Sequence, residues 1–162
     1  PAVAHAICDA ADPVAAFANL AASAADNAQM LFSCFRAPAE NAWATKIAAL
    51  VPSAPSGDPH APGPFAFADP DRVKGILTPA GWSDIAFEPV DFDYVAGSGE
   101  DPVADALDFF GHIGPAARAI RMLEGDARIA FLSGLRKLAE QHLHDGAVRF
   151  AAAAWIVTAK KY

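Results

Sequence analysis

Four side chains stand where a protein of this composition could recognise or transform a small molecule. Arg36, Asn41 and Trp43 follow the apolar segment 28–35, and His112 lies between glycines and aromatic residues in FFGHIGP. If segment 28–35 is a parallel strand buried on both faces, the first three residues lie past its carboxyl end, where α/β folds bind ligands. We expect them to contact a substrate, with Trp43 as the wall of a pocket for a planar acceptor. The alternative is a charged loop residue, a helix N-cap and a core indole.

His112 is the candidate general base. An imidazole changes its charge near neutral pH and can take a proton from an acceptor hydroxyl or amine. The alternative is a structural histidine. A hydrolase that pairs Ser33 or Cys34 with His112 is disfavoured, because no nucleophile-elbow glycine pattern surrounds either residue.

The other titratable groups predict no metal site. His142 and His144 lie near Glu140 and Asp145, but side chains two apart on a helix diverge by roughly 200°, so both imidazoles reach one ion only if the helix has already ended there. Cys34 falls inside an apolar segment, where a thiol behaves as a small hydrophobic group.

The surrounding pattern predicts an α/β protein. Of the 162 residues, 54% are hydrophobic, which suits one compact domain. Asp-Pro pairs at 12–13, 69–70 and 101–102 are typical helix starts, and Pro89 marks its strand as an edge strand. The predicted order is a helix over 13–25, a strand over 28–35, a helix over 41–50, a Pro-rich loop over 51–64, a helix from Pro70 that ends before Pro79, a strand over 84–94, helices from Pro102 to near Gly111, over 115–123 and over 128–142, and a strand over 149–158.

The charge distribution and the composition limit the classes of partner that the chain is expected to bind. The net charge is −7, divided as −2 over residues 1–50, −9 over 51–117 and +4 over 118–162, which lacks the general basic character of a nucleic-acid binder. The bases Arg118, Arg121, Arg128, Arg136 and Lys137 are interpreted as a solvated helix face, and an anion or phosphate contact surface is the alternative. No apolar run is long enough to span a membrane, and no basic segment precedes the apolar N-terminus. With two cysteines, we expect a cytoplasmic protein without a membrane partner.

Five segments together resemble the C-terminal half of class I S-adenosylmethionine-dependent methyltransferases of the bacterial small-molecule type: DPVAAFANL, CFRAPAENAW, PGPFAFADPDRVKGILTPAGWSDIAFEPVDFDY, DFFGHIGPAARAI and AAAAWIVTAKK. The resemblance implies a partial doubly wound, Rossmann-like sheet with strand order 3-2-1-4-5-7-6 and an antiparallel last strand. Segments 28–35, 84–94 and 149–158 would be its fifth, sixth and seventh strands, and segment 2–8 a remnant of the fourth. Residues 101–142 would be a helical insertion, or lid, that covers the substrate.

The resemblance implies methyl transfer from S-adenosylmethionine to a small organic acceptor. The family binds this cofactor at a glycine-rich turn after its first strand, whereas the only Gly-x-Gly here is Gly97-Ser98-Gly99, late in the chain. We therefore expect the cofactor-binding half to come from a longer chain or a partner. The alternative is a noncatalytic small-molecule-binding or oligomerisation module derived from the same fold. The open sheet edge left in either case predicts a homo-oligomer, such as a dimer.

Overall fold

The computed structural model describes residues 12–51, 63–112 and 114–161. In chain order the elements are α1 (Pro13–Ser23), β1 (Gln29–Phe35), a 3₁₀ turn (Pro38–Glu40), α2 (Ala42–Ala48), α3 (Pro70–Leu77), β2 (Ser83–Gly97), α4 (Pro102–His112), α5 (Gly114–Met122), α6 (Gly125–Gln141), β3 (Leu143–His144) and β4 (Ala147–Lys160). The predicted mixed α/β class is confirmed. The predictions for segment 2–8 and for residues 52–62 of the Pro-rich loop lie outside the described residues.

Three helices begin at the Asp-Pro pairs that the sequence indicated. Each aspartate accepts a hydrogen bond from a backbone N–H of the first turn, and each proline occupies a position that needs no N–H donor. Asp12 accepts from the Ala15 N–H (2.9 Å), Asp69 from the Asp71 N–H (2.9 Å) and Asp101 from the Ala104 N–H (3.0 Å). Local capping therefore fixes where α1, α3 and α4 start.

The strands form one open sheet in the order β1-β4-β2, with β3 paired to β4. β1 and β4 are antiparallel, and Cys34 lies opposite Trp155 in their register. This differs from the expectation of a parallel strand buried on both faces, because β1 buries only alternate residues. Met30, Phe32 and Cys34 pack into a core that includes α1 and α3, whereas Leu31 is 70% exposed.

β2 is the edge strand at the other end of the described sheet, as the presence of Pro89 indicated. Proline has no N–H to donate to a neighbouring strand, so it is tolerated at a sheet edge. The strand is longer than expected, because it continues through Glu88-Pro89 without a break and extends to Gly97.

The described residues divide into two compact units. The first comprises residues 12–38, 63–91 and 153–161, and the second comprises 39–51, 92–112 and 114–152. In the first unit, α1 and α3 pack around Phe17, Leu77 and Val157, and the Trp82 Nε1–H donates to the Phe17 carbonyl at 3.0 Å. The burial of large apolar side chains stabilises this core.

The second unit contains α2 and the group of helices α4, α5 and α6, which contact one another. Its buried side chains include Ile47, Phe110, Phe131, Leu135 and Phe150. α6 ends at Gln141, and β3 then joins β4 through a two-residue hairpin turn formed by Asp145 and Gly146, with positive φ angles of 48° and 73°. Asp-Gly is a favoured sequence for such a turn. Among the described residues, no helix combines the length and apolarity needed to cross a membrane.

Candidate functional site

Arg36 lies directly after β1, in the first unit, and its side chain is held from two sides. Its Nη1 donates to the Asp91 Oδ1 at 3.0 Å, and its Cζ lies 5.1 Å from the centroid of the Trp155 ring. The Arg36 side chain is 20% exposed, whereas that of Asp91 is 85% exposed. A guanidinium over an indole face is stabilised electrostatically, more so where water is excluded. An anionic ligand at Arg36 would compete with Asp91.

Trp155 anchors this arrangement from β4. Its Nε1–H donates to the Ala68 carbonyl at 3.0 Å, and Phe87 meets its ring edge-on at 6.0 Å between centroids. Lys74 lies over the Phe87 ring, with its Nζ 5.8 Å from the ring centroid. We call Arg36, Asp91, Trp155, Phe87 and Lys74 the Trp155 cluster. It is a rigid platform, because the indole that orients Arg36 is itself fixed by a hydrogen bond and by packing.

Asn41 lies in the second unit, before α2. It is fully buried, and it is the one buried polar or charged residue within the described ranges. Its backbone carbonyl accepts from the N–H groups of Ala44 and Thr45 at 3.0 and 3.2 Å, so its main chain begins the helix as predicted. Its side chain makes no capping hydrogen bond. The amide therefore belongs to the interior of the unit rather than to the helix start.

Trp43 is also buried, with 4% of its surface exposed, and it stacks on Tyr94 of β2. The ring centroids are 5.4 Å apart and the planes differ by 20°. The helix break after His112 is close by, because a Cβ added at Gly114 would lie 3.7 Å from the Trp43 Cζ3. Trp43 therefore joins α2, β2 and the start of α5. One face of the indole predicted to line a pocket is covered by Tyr94.

An aromatic row continues from this stack through the second unit. Successive ring centroids are 4.4 to 6.0 Å apart along Tyr94, Phe109, Phe110, Phe150 and His142. Burial raises the pKa of the Tyr94 phenol above its ordinary value, because desolvation disfavours the phenolate. Tyr94 is therefore neutral at physiological pH, where it can act as a hydrogen-bond donor but not as a base.

His112 closes α4 and has an exposed side chain. Its Nδ1 lies 2.8 Å from the Asp108 carbonyl oxygen, and the Asp108 carboxylate is 3.6 Å away. In the neutral ring, a proton on Nδ1 satisfies that carbonyl, so Nε2 carries the free lone pair. The arrangement is compatible with proton acceptance at Nε2.

The remaining titratable candidates have structural surroundings. Cys34 is buried, and its Sγ donates to the Phe67 carbonyl at 3.3 Å. His142 stacks on Phe150, with its Nδ1 2.9 Å from the Leu138 carbonyl, whereas His144 belongs to β3. Within the described part of the chain, no group of three or more His, Cys, Asp or Glu residues is arranged to hold a metal ion.

The turn Gly97-Ser98-Gly99 does not fit a nucleotide cofactor. A Cβ at Gly97 would collide with the Pro102 carbonyl oxygen and would lie 2.5 Å from the Ala106 backbone nitrogen, so α4 already fills the space that this glycine leaves. The Ser98 N–H donates to the Asp105 carboxylate at 2.9 Å. A carboxylate at this position occupies the Ser98 amide and repels an anionic group such as the carboxylate of a methionine moiety. This turn is therefore not available as a glycine-rich cofactor turn.

Sequence reasoning missed the partners that orient the candidates. Asp91, Tyr94 and Trp155 come from strands β2 and β4, far along the chain from Arg36 and Trp43. The alternation of apolar and polar residues predicted that Tyr94 lies in a strand, but it did not indicate that Trp43 stacks on the Tyr94 ring. Of the four candidates, Asn41, Trp43 and His112 belong to the second unit and Arg36 to the first.

No protein-family model matches the chain, and no curated protein matches it. Strand order and side-chain contacts therefore carry the functional argument.

Proposed function

We propose that this chain forms the acceptor-side half of a class I S-adenosylmethionine-dependent methyltransferase that acts on a small organic acceptor. The observation that carries the proposal is the sheet order β1-β4-β2, with β4 antiparallel to β1. In the methyltransferase order 3-2-1-4-5-7-6, the seventh strand lies between the fifth and the sixth and runs opposite to the fifth. β1, β2 and β4 correspond to the fifth, sixth and seventh strands in chain order and in sheet order alike.

The exposed face of β1 supports the same proposal. A central strand of a doubly wound sheet has helices on both faces, whereas the Leu31 side chain of β1 is 70% exposed. The described sheet also ends at β1. Further strands and helices would give this strand the environment that its apolar sequence predicts. We therefore propose that β1 pairs with a strand from a longer polypeptide or from another chain.

In this proposal the candidate residues bind and orient the acceptor. In the first unit, Arg36 would bind an acidic group in competition with Asp91. In the second unit, Trp43 and Asn41 would form the wall of a pocket for a planar acceptor. His112 would take a proton from the acceptor at Nε2 as the acceptor becomes nucleophilic. Methyl transfer relies mainly on proximity and in-line orientation, so one weak base is sufficient. S-adenosylmethionine would be bound by residues outside the described ranges.

A noncatalytic binding or oligomerisation module is the second candidate function. The observation that favours it is the turn at Gly97–Gly99, whose space is filled by α4 and whose Ser98 amide is occupied by Asp105. A chain that works without a cofactor-binding half would bind a ligand or a partner without transferring a methyl group. A cytoplasmic location is part of both proposals, because two cysteines in 162 residues are too few for a disulfide framework.

Calorimetric titration with S-adenosylhomocysteine separates the two functions. The polypeptide that the gene encodes, including any residues before Pro1, is titrated beside the 162-residue chain as the matched control. We expect the encoded polypeptide to carry a Gly-x-Gly-x-Gly turn and to bind one equivalent, and the 162-residue chain to give no heat.

Two results would count against the methyltransferase proposal. One is an encoded polypeptide that lacks the turn and does not bind S-adenosylhomocysteine, either alone or with a copurifying chain; it would favour the noncatalytic module. The other is tight binding by the 162-residue chain itself, because the proposal assigns the cofactor site to a half of the protein that this chain lacks.

A further inference from the structure

The outer face of α6 combines basic and aliphatic side chains in an unusual way. Residues on an α-helix are 100° apart, so Ile129, Leu132 and Arg136 fall within an arc of about 60°. Arg128 precedes them in the first turn, about 40° beyond Leu132, and all four side chains are exposed. We call these four residues the α6 outer face. The side of the helix that packs into the second unit, through Phe131, Leu135 and Leu138, begins about 60° from Leu132, and Glu140 falls about 20° from Ile129 on the exposed side.

The bases of this region make no ion pair within the described residues, although Glu124, Asp126 and Glu140 lie in the same stretch of chain. They are Arg118, Arg121, Arg128, Arg136 and Lys137. Elsewhere the pattern is different, because five other bases lie within 4.0 Å of an aspartate: Arg36, Lys74, Arg149, Lys160 and Lys161. In a chain of net charge −7, a cluster of exposed bases with no carboxylate partner is available to an external anion.

Aliphatic side chains lie among these bases. Ile129 is 66% exposed and Leu132 is 39% exposed, and Met122 at the end of α5 is 70% exposed. A purely solvated helix face would carry polar residues at such positions. The surface therefore suits an occupant that offers both negative charge and apolar material.

The side-chain types favour phospholipid over nucleic acid. Four of the five bases are arginines, whose planar guanidinium groups bind phosphate oxygens in pairs. Single-stranded nucleic acid is bound with aromatic side chains that stack on bases, and the one aromatic residue of α5 and α6, Phe131, is 2% exposed. Aliphatic residues beside arginines match the boundary between headgroups and acyl chains, where amphipathic helices bind.

We propose that the α6 outer face docks this protein on an anionic phospholipid surface. Arg128 and Arg136 contact lipid phosphates, Leu132 enters the headgroup boundary between them, and Ile129 enters it beside Arg136. The association is peripheral and reversible, since three exposed aliphatic side chains bury little area. The acidic remainder of the chain is repelled by the same surface, which orients the protein with α6 toward the lipid. This inference is independent of the proposed methyl transfer, and it replaces the expectation from the sequence that the protein has no membrane partner.

Vesicle flotation tests the proposal with the intact 162-residue chain. The probes are vesicles of phosphatidylglycerol mixed with phosphatidylcholine, and vesicles of phosphatidylcholine alone. We expect binding to the anionic vesicles only, with loss at high salt. The double variant Arg128→Gln/Arg136→Gln should bind about 30-fold more weakly, because each base near an anionic surface contributes about 1 kcal/mol.

A matched control is Lys46→Gln/Lys74→Gln, which removes two exposed bases elsewhere and should bind like the unmodified chain. Ile129→Ser/Leu132→Ser should weaken binding even at low salt, and circular dichroism would verify that each variant is folded. The proposal is overturned if the unmodified chain does not float with anionic vesicles, or if the two charge variants lose binding equally. It is also overturned if Arg128→Gln/Arg136→Gln changes the oligomeric state without lipid, because the face would then join copies of the chain.

Discussion

The Trp43 indole stacks on the Tyr94 ring, with centroids 5.4 Å apart, and this contact joins α2 to β2 in the second unit. Trp43 lies in the first turn of α2, and Asn41 directly precedes this helix. A stacked pair of large rings buries much apolar area and adds the favourable geometry of an offset aromatic contact. The start of α2, which carries two candidate acceptor residues, is thus held by a core contact.

Trp43→Ala should destabilise the protein by about 3–5 kcal/mol, because it leaves a large cavity beside Tyr94 and Gly114. Trp43→Phe should cost less, since a smaller ring can still stack on Tyr94. The free energy of unfolding is obtained from urea titrations followed by circular dichroism. Equal stability of the Ala variant and the unmodified chain would show that the indole is not part of the core.

Tyr94 should make stability fall at alkaline pH. Burial raises the pKa of its phenol in the folded protein, so the unfolded chain releases this proton first as the pH increases. The stabilising contribution is complete below a pH of about 10, the ordinary value for tyrosine, and is lost as the pH rises through the raised pKa. Urea titrations at a series of alkaline pH values measure this slope. Tyr94→Phe should flatten it, and an unchanged slope would contradict the assignment to Tyr94.

Gly97→Ala should prevent normal packing of α4 against the end of β2. The new Cβ would collide with the Pro102 carbonyl oxygen and lie 2.8 Å from the Ala106 Cβ, and backbone cannot move aside as a flexible side chain can. We expect a loss of several kcal/mol, as for other severe steric clashes. The matched control is Gly75→Ala inside α3, where nothing lies within 4 Å; it should stabilise by about 1 kcal/mol. Similar stability of the two variants would refute the close approach.

The sequence predicts most element positions but not the environment of the strands. The Asp-Pro caps placed α1, α3 and α4, and Pro89 placed β2 at an edge, because both signals act through local backbone chemistry. β1 was expected to be buried on both faces, since an apolar run does not specify which neighbours cover it. The contacts of Arg36 with Asp91 and of Trp43 with Tyr94 span long separations and depend on strand pairing, so no local pattern indicates them.

The ion pair between Arg36 and Asp91 should contribute little to stability. Asp91 is 85% exposed, so water screens the attraction, and surface pairs of this kind contribute about 0.2–1 kcal/mol. A double-mutant cycle with Arg36→Gln and Asp91→Asn measures the coupling, which should shrink at high salt. Arg36→Gln alone should cost more than Asp91→Asn, because it also removes the contact with the Trp155 ring. The reverse order would show that the indole does not hold Arg36.

The two ends of the described sheet differ in how they resist association. β2 carries Asp84, Glu88 and Pro89, which discourage pairing with another strand, whereas β1 has no charged residue and no proline. We therefore expect the 162-residue chain to self-associate through β1, the end at which Leu31 is exposed. Light scattering coupled to size-exclusion chromatography should give a mass above that of one chain.

Leu31→Lys should shift the population toward the monomer, because a charge on an edge strand opposes strand pairing. Ala86→Lys introduces the same charge at an exposed position of β2 and is the matched control, with no expected effect on the mass. A monodisperse monomer for the unmodified chain would contradict association through β1. Loss of association in the Ala86→Lys variant instead would move the interface to β2, and the strand proposed to complete the sheet at β1 would lose its support.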